Sequence, residues 1–518
     1  MTGILINRHI LLALLALSLS ACGGGGGNKG FNDPMPAGPQ SVSGTISYQF
    51  VPPNDGCHGL NFPATEERPI RGATVVLLNA DGAEMARMAS SETGGYSFAN
   101  VSSNISVSIR VLAESKISNT VSWDIEVRDN VDTSAIPQPL GSRPMYSMQS
   151  SQFDTGTNNV VRNLTAETGW VAAANNYGEP RVAAPFAILD TIYSGMQFIT
   201  EVDPNIVFEP LDVFWSVNNT AVPSFLPLDE AIDAGELGGS FYMFGANSLF
   251  LTGDANGDTD EFDAHIVAHE WVHFLDDTIF RSDNPGGTHR QGERADSRLA
   301  WAEGWATAVA AMILNDPAYC ESGVPGTNAG FEINAEGGFF GGQGWFDEVG
   351  MIRLVYDLWD TTSEGTDNGS IGFAPIYEVM TNGFRTTPAM ANIFAFAVEL
   401  RAIVDANGAA LLDSQLGDEQ TIQGAALDIW GTNEINDGGA ANPDEVLPLY
   451  IDMVADGTLR SVLRPAEYHV ECPNGVATDA ESLVSVELPL ESVDIRFNAL
   501  IPSQDSGGGT FGGTNPRT

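Results

Sequence analysis

The sequence predicts an α+β protein in which a small β-sandwich is followed by a mixed sheet and a mainly helical C-terminal half. Three observations support this class. Short strand-like runs separated by turn residues fill the region 41–137. From residue 184 onwards, apolar residues recur mainly with helical spacing. Hydrophobic residues make up 43% of the chain and charged residues only 17%, so a disordered acidic protein is excluded.

The charge of the chain excludes one class of partner. Its 518 residues include 67 acidic and 22 basic side chains, which gives a formal net charge of −45. No cluster of Lys or Arg interrupts this balance, so we expect the fold to repel the phosphate backbone of DNA or RNA.

The first 22 residues have the pattern of an export signal. Arg8 precedes an apolar run at 10–19 that is too short to span a bilayer as a helix. The run ends in Leu19-Ser20-Ala21-Cys22, which resembles the lipobox of bacterial lipoproteins. This resemblance implies cleavage before Cys22 and acylation of its sulfur, and Gly23 fits sorting to the outer membrane. An ordinary signal peptide with a coincidental cysteine is the alternative.

The remaining boundaries follow changes in composition. Residues 23–40 are rich in Gly, Pro and Asn and predict a flexible tether. The sandwich is expected at 41–137 and the larger domain at 138–465. Strand-like alternation returns at 466–501, and 502–518 form a disordered tail with little to bury. No segment after residue 22 has 18 consecutive apolar residues, so we expect lipid to be the only membrane attachment.

Four strands are predicted in the N-terminal region, at 42–50, 73–78, 96–98 and 105–111. The string VSGTI…GATVVLL…TGGYSF in this region resembles the carboxypeptidase regulatory-like (transthyretin-like) modules of secreted proteins. The resemblance implies a β-sandwich, although the insertion at 51–69 departs from it.

The cysteines predict one disulfide. If Cys22 is acylated, Cys57, Cys320 and Cys472 remain, and in an oxidising compartment two of them are expected to pair. The sequence does not identify the pair.

Beyond residue 138, the hydrophobic periodicity predicts helices with a few strands between them. The helices are expected at 184–202, 261–277, 298–315, 350–359, 390–405 and 444–454, and the strands at 206–217 and 240–251.

The strongest functional signal is the segment His269-Glu270-Trp271-Val272-His273, an HExxH motif. Residues four apart share one face of a helix, so the two imidazoles can bind one metal ion. Glu270 lies one residue further round, where its carboxylate can reach a water on the metal without being a ligand. The flanking residues are apolar nearly all round, which predicts a buried helix. Core histidines satisfied by hydrogen bonds are the alternative.

A third protein ligand is needed, because catalytic zinc takes three and keeps an open position. Asp277 lies two helical turns from His269, too far along the axis to share the metal. Glu303 lies in the middle of the apolar stripe of the next predicted helix, where a carboxylate requires a cation. A salt-bridged structural Glu is the alternative.

An HExxH motif followed by a Glu on a second helix resembles the gluzincin metallopeptidases. The sequence Glu303-Gly304-Trp305 resembles the fungalysin branch, in which Glu-Gly-Trp supplies the third zinc ligand, and DTDEFD before the first helix is similar to the same group. The resemblance covers about residues 240–360. It implies that His269, His273 and Glu303 bind Zn²⁺, that Glu270 is the general base, and that the substrate is a peptide or protein.

Two positions depart from that pattern. Thermolysin and fungalysin place an Asp four residues after the ligand Glu, and this chain has Thr307 there. Their oxyanion-stabilising His lies in a Val-His-x-x-Gly sequence, and the corresponding stretch here is Asp347-Glu348-Val349-Gly350. We therefore expect another residue, Tyr356 or His289, to stabilise the oxyanion, and predict a catalytic role for Tyr356.

A second, weaker metal signal precedes the HExxH helix. Asp254, Asn256, Asp258 and Asp260 offer oxygen ligands at alternate positions, as a Ca²⁺ loop does, but the Gly at loop position six and the Glu at twelve are missing. The alternative is that Asp260 caps the helix, with Asp263 favouring the helix dipole.

The sequence therefore predicts an exported, membrane-anchored zinc endopeptidase that hydrolyses peptide bonds. The strand at 240–251 lies where such peptidases hold an extended peptide. The alternative is a cell-surface binding or adhesion lipoprotein with a degenerate or structural metal site. The intact Glu270 argues against degeneracy, and the oligomeric state stays open.

Overall fold

The computed structural model describes residues 40–418 and 427–429, apart from 119, 135, 285, 287–288, 290–294, 296, 338–343 and 363–367. Several predictions from the sequence lie outside the described residues. They are the export signal with Cys22, the tether, the helix at 444–454, Cys472, the strands at 466–501 and the tail at 502–518.

The strands of the described residues are β1 (Gln40–Phe50), β2 (Glu66–Pro69), β3 (Ala73–Asn79), β4 (Glu84–Ala89), β5 (Gly95–Val101), β6 (Ser106–Ser118), β7 (Ser122–Arg128), β8 (Ser147–Gln149), β9 (Phe153–Asp154), β10 (Val160–Val161), β11 (Leu164–Ala166), β12 (Trp170–Val171), β13 (Asn176–Tyr177), β14 (Leu211–Trp215), β15 (Phe241–Met243), β16 (Ser248–Leu251), β17 (Ala318–Glu321) and β18 (Phe331–Asn334). The helices are α1 (Ala184–Val202), α2 (Leu228–Ala234), α3 (Ala264–Thr278), α4 (Ser297–Leu314), α5 (Glu348–Trp359), α6 (Phe373–Thr381), α7 (Gly383–Thr386), α8 (Ile393–Ile403) and α9 (Ala406–Asp418).

This order of elements confirms the α+β class. Strands dominate up to β13, and helices dominate from α1 onwards. The predicted helices at 184–202, 261–277, 298–315, 350–359 and 390–405 correspond to α1, α3, α4, α5 and α8. The helices α2, α6, α7 and α9 and the hairpin β17–β18 were not predicted, because they are short or only partly apolar.

Two sheets carry the N-terminal half. In the smaller sheet, β1 pairs in parallel with β10 and β11 and antiparallel with β2 and β5. The larger sheet has the order β15-β16-β14-β7-β6-β3-β4, with β8 and β9 also paired to β6. Most of their buried residues belong to one hydrophobic cluster that extends into the helices, whereas Phe214 of β14 and Phe250 of β16 form a second, smaller cluster with Ile232.

The larger sheet continues past the sandwich boundary expected at residue 137. The pairing of β7 with β14 is parallel, with Val127 opposite Val213, and β14 pairs in turn with β16. The short strands β8 to β11 also return to β6 and β1. The N-terminal strands and the helical half therefore share a sheet, which a composition change along the chain does not reveal.

The strand predicted at 240–251 is a hairpin. Gly245 and Asn247 have positive φ, a conformation that Gly and Asn adopt most readily, and they form the turn between β15 and β16. At the end of the larger sheet, β15 is the last strand in the order.

A disulfide joins the two halves of the chain. Cys57 and Cys320 are bonded, with their Cα atoms 5.4 Å apart and a separation of 263 residues in sequence. It attaches β17 to the segment that follows β1. None of the helices in the described part of the chain is both long and apolar enough to cross a membrane.

Candidate metal centre

Helix α3 holds the HExxH motif inside the protein. Its residues are apolar on almost every side, and Val267, Trp271 and Phe274 are fully buried. Gly195 of α1 allows the close approach, because a Cβ there would lie 2.6 Å from the Trp271 ring. Within this helix the Nε2 atoms of His269 and His273 lie 3.1 Å apart, as the spacing of four residues predicts.

Helix α4 brings Glu303 to the same point. Its Oε2 atom lies 3.2 Å from Nε2 of His269 and 3.2 Å from Nε2 of His273. The next residue, Gly304, lies against α5, where a Cβ would be 2.5 Å from the Cβ of Met351. The Glu-Gly-Trp sequence thus has a physical reason: the Glu points to the histidines while the Gly lets the neighbouring helix approach.

The three side chains fit a zinc ion. Donor atoms that bind zinc tetrahedrally at 2.0–2.1 Å are about 3.3 Å from one another, close to the separations of 3.1 and 3.2 Å found here. Among the described residues, Glu303 forms no ion pair with a Lys or Arg, so a salt-bridged structural Glu would have only the imidazoles of His269, His273 and His289 as partners. The donors are two imidazoles and one carboxylate, a set typical of catalytic zinc.

Further side chains orient these three. Nδ1 of His269 lies 3.0 Å from the hydroxyl of Thr307, the residue four positions after Glu303. Nδ1 of His273 lies 3.4 Å from Asp276, and Asn284 donates a hydrogen bond of 2.8 Å to Oε1 of Glu303. Such partners fix the ring orientation of ligand histidines.

The sequence reasoning missed two of these residues. Asp276 follows His273 by three positions on the same helix, which is a local signal that could have been used. Asn284 lies on a loop and carries no such signal.

The charges at the centre favour a cation. Burial alone would lower the pKa of His273, but Glu303 and Asp276 outweigh it and hold that pKa well above its usual value. Burial would raise the pKa of Glu303, but His273 and His289 hold it well below. Burial raises the pKa of Asp276 to about 6. The buried carboxylate thus stabilises positive charge between the histidines, as it would for a divalent metal.

His289 lies at the open side of the centre. Its side chain is one-third exposed, with Nε2 3.5 Å from Oε2 of Glu303 and Nδ1 2.7 Å from Oε2 of Glu348. Burial lowers its pKa, but the charges of Glu303 and Glu348 outweigh this and raise it to about 10. These carboxylates favour the protonated ring, whose N–H groups can donate to a developing negative charge.

Tyr356 has different neighbours. Its ring packs 5.3 Å from that of Trp359, and burial and the nearby carboxylates of Glu336 and Asp360 raise the pKa of its hydroxyl. None of the contacts described for it involves a residue of the metal centre. Of the two expected oxyanion donors, the structure brings His289 to the centre.

Glu270 lies beside the three donors without being one of them. It is partly exposed, and its charge raises the pKa of His273 and of Tyr319. The buried Tyr319 ring lies 6.0 Å from the His269 ring, and links β17 to this centre. Glu270 is therefore near the centre, and its role as general base stays a prediction.

The residues before α3 differ from both sequence hypotheses. Asp260 does not cap α3: it lies in a 3₁₀ turn, and the helix begins after Asp263 without a side-chain capping bond. Asp254 forms a local turn with Asn256 instead of joining a ligand set. Asp258 and Asp260 do come together, but with Glu321 of β17.

A comparison with known protein families matches the region that contains the centre. Residues 227–397 match the family model described as the Mycolysin C-terminal domain, about a third of the chain. The match includes α3, α4, α5 and the loop that carries His289. No curated protein matches the chain. The matched region is therefore similar to a peptidase domain, and this similarity supports the metallopeptidase class that the sequence predicts.

Proposed function

We propose that the protein is a zinc-dependent endopeptidase of the gluzincin type. The observation that carries this proposal is the meeting of His269, His273 and Glu303 within 3.2 Å of one another, with Glu270 beside them. Three protein donors leave a coordination position open, as catalytic zinc requires.

The roles of the side chains follow from their positions. A zinc ion at the three donors would supply Lewis-acid chemistry, polarising a peptide carbonyl and acidifying water. Glu270 would accept the proton of the attacking water and pass it to the leaving amine. His289, oriented by Glu348, would donate a hydrogen bond to the oxyanion that forms on the carbonyl.

The strand β15 offers a way to hold an extended substrate. It is the terminal strand of the larger sheet. The hydroxyl of its residue Tyr242 donates a hydrogen bond of 2.9 Å to Oδ2 of Asp277 in α3. An extended peptide could add to this edge by main-chain hydrogen bonds.

A binding or adhesion protein with a structural metal site is the second candidate. Structural zinc sites are normally closed by four protein ligands. The site described here has three donors in one set, with a partly exposed carboxylate and a partly exposed imidazole beside them. These features favour hydrolysis.

The test separates the ligand carboxylate from the catalytic one. Glu270→Gln should keep about one zinc per chain while casein cleavage falls about 10² or more, because only the base is removed. Glu303→Ala should lose both zinc and cleavage. Glu332→Gln, at an exposed carboxylate of β18, is the matched control and should change neither.

Two results would contradict the proposal. Activity retained in Glu270→Gln excludes this base, and a full zinc content in Glu303→Ala places the third ligand elsewhere.

We also propose that the chain is a lipoprotein of the cell envelope, anchored through acylated Cys22. The support is the lipobox-like Leu19-Ser20-Ala21-Cys22 after a short apolar run. A labelled fatty acid should mark the wild-type protein but not Cys22→Ser, and label retained in the variant would contradict the anchor.

A further inference from the structure

Three carboxylates meet just before the N-terminus of α3, away from the metal centre described above. We call Asp258, Asp260 and Glu321 the acidic cluster. Each offers an oxygen atom, and these atoms all lie within 4.8 Å of one another. Asp260 is only 1% exposed, so its charge is removed from water.

Within the described part of the chain, no basic side chain neutralises this cluster. Among the described residues, no Lys or Arg forms an ion pair with any of its three members. Arg181, the nearby buried cation, is bound to Glu261. A further buried carboxylate, Asp263, lies close enough for its charge to raise the pKa of Asp260. Such a concentration of buried negative charge is costly unless a cation or protons compensate it.

An unpartnered oxygen lies inside the cluster. Oδ2 of Asp260 accepts hydrogen bonds from the hydroxyls of Ser240 and Thr252, but Oδ1 is buried and has no hydrogen-bond partner among the described residues. Oδ1 of Asp263 is likewise buried without a described partner. Buried polar atoms are almost always paired, so these oxygens indicate a group that the protein itself does not supply.

The titration of the groups agrees with this geometry. Burial, followed by the neighbouring acids, raises the pKa of Asp260 and of Glu321 well above their usual values. The side chains of Asp258 and Glu321 lie close enough to share a hydrogen bond, which two carboxylates form only through a proton. The negative charge of the acidic cluster is therefore compensated either by protons or by a metal ion.

We propose that the acidic cluster binds a calcium ion. The donors are all oxygen atoms, which suits a hard cation and excludes a preference for zinc. Ca²⁺ takes six to eight oxygen ligands at about 2.3–2.6 Å, and tolerates irregular sets completed by main-chain carbonyls and water. Asp258 and Glu321 are only partly buried, which leaves room for water ligands.

A calcium ion here would join two distant parts of the chain. Asp258 and Asp260 precede α3, whereas Glu321 ends β17, whose Tyr319 packs against His269. Binding would hold β17 against the start of α3. It would thereby stabilise the arrangement of the neighbouring metal centre. This inference concerns stability and metal content, so it does not depend on peptidase activity.

The experiment is a calcium titration of the full chain. The protein is dialysed into chelator-treated buffer that retains micromolar zinc, and Ca²⁺ binding and the thermal midpoint are then measured. We expect about one calcium per chain and a higher midpoint on addition of Ca²⁺, with zinc content unchanged. Asp260→Asn and Glu321→Gln should weaken calcium binding about tenfold or more.

Controls keep the result interpretable. Asp254→Asn removes a carboxylate of the same loop but keeps its turn, so calcium affinity should stay at the wild-type value. Mg²⁺ at the same concentration should raise the midpoint less, because it requires a stricter octahedral arrangement. The proposal is overturned if wild type binds no calcium, or if Asp260→Asn and Glu321→Gln bind it as tightly as wild type. Both variants are checked for folding by their circular dichroism spectra.

Discussion

The metal centre lies on α3 and the acidic cluster lies just before the start of that helix, and the two sites balance buried charge in different ways. In the metal centre, the carboxylate of Glu303 faces His269, His273 and His289, which can themselves carry positive charge. In the acidic cluster, Asp258, Asp260 and Glu321 face one another, and none of them forms an ion pair with a basic side chain in the described part of the chain. The first site can be balanced by its own imidazoles, whereas the second needs protons or an ion from outside.

The donor atoms of each site indicate its role. Mixed nitrogen and oxygen donors with an open side suit catalysis by zinc. A set made only of oxygen donors, which connects the start of α3 to β17, suits a cation that holds the fold together. Variants that change one site and leave the other intact test whether the roles are separate.

The largest effect is expected at His289, which belongs to the metal centre but not to its three donors. His289→Ala should lower the turnover of peptide cleavage by about 10²–10³, because it removes a donor to the oxyanion. Zinc content should stay near wild type, since His269, His273 and Glu303 are intact. Steady-state cleavage of casein or a peptide and metal analysis measure both.

Tyr356→Phe is the matched comparison. The sequence favours Tyr356 as a catalytic residue, and the structure packs it against Trp359. If His289 is the donor, Tyr356→Phe should keep turnover within a few-fold of wild type. A large loss in Tyr356→Phe together with full activity in His289→Ala would reverse the assignment.

A smaller effect is expected at Thr307, whose hydroxyl lies 3.0 Å from Nδ1 of His269. Thr307→Val keeps the shape and removes the hydrogen bond, so zinc affinity should fall about 10–100-fold. Thr307→Ser, which keeps the hydroxyl, should bind zinc nearly as wild type does. Competition with a zinc chelator measures the change, and equal affinities in all three proteins would show that the bond does not support the site. Calcium binding at the acidic cluster should be the same in all three.

The two sites also differ in how far the sequence could predict them. His269 and His273 are four residues apart on one helix, so local periodicity alone brings them together. Glu303 was predicted from its place on an apolar stripe, and α4 does bury it. The acidic cluster joins Asp258 and Asp260 to Glu321, about sixty residues away, and no local pattern encodes that meeting.

In other parts of the fold, too, local features could be predicted from the sequence and contacts between distant segments could not. Helix α1 was predicted with the bounds it has, because its apolar residues follow the helical period throughout. The joining of β7 to β14 and the bond between Cys57 and Cys320 connect distant segments, and the sequence left both open. Contacts over long sequence separations depend on the packing of the whole core.

The smallest effect concerns Asp347, a buried acid that belongs to neither site. Its side chain caps α5 by accepting a hydrogen bond from the Val349 amide at 3.1 Å, and its other oxygen has no described partner. Burial raises its pKa to about 7, against the smaller opposing effects of the Val349 amide and of Arg353. Between about pH 4 and pH 7 the folded state therefore keeps a proton that the unfolded state has lost.

The stability contributed by that proton falls as pH rises through this window and does not recover above it. Asp347→Asn keeps the cap without the charge, so its thermal midpoint should decline less between pH 4.5 and 8.5, and at pH 8 it should be more stable than wild type by about 1 kcal/mol or more. Asp81→Asn, on an exposed turn, is the control and should follow wild type. Added calcium should leave the difference between Asp347→Asn and wild type unchanged, because a single carboxyl does not make a cation site. A variant with the wild-type pH dependence would mean that Asp347 is ionised in the folded protein throughout, and a difference that calcium removes would link Asp347 to the acidic cluster.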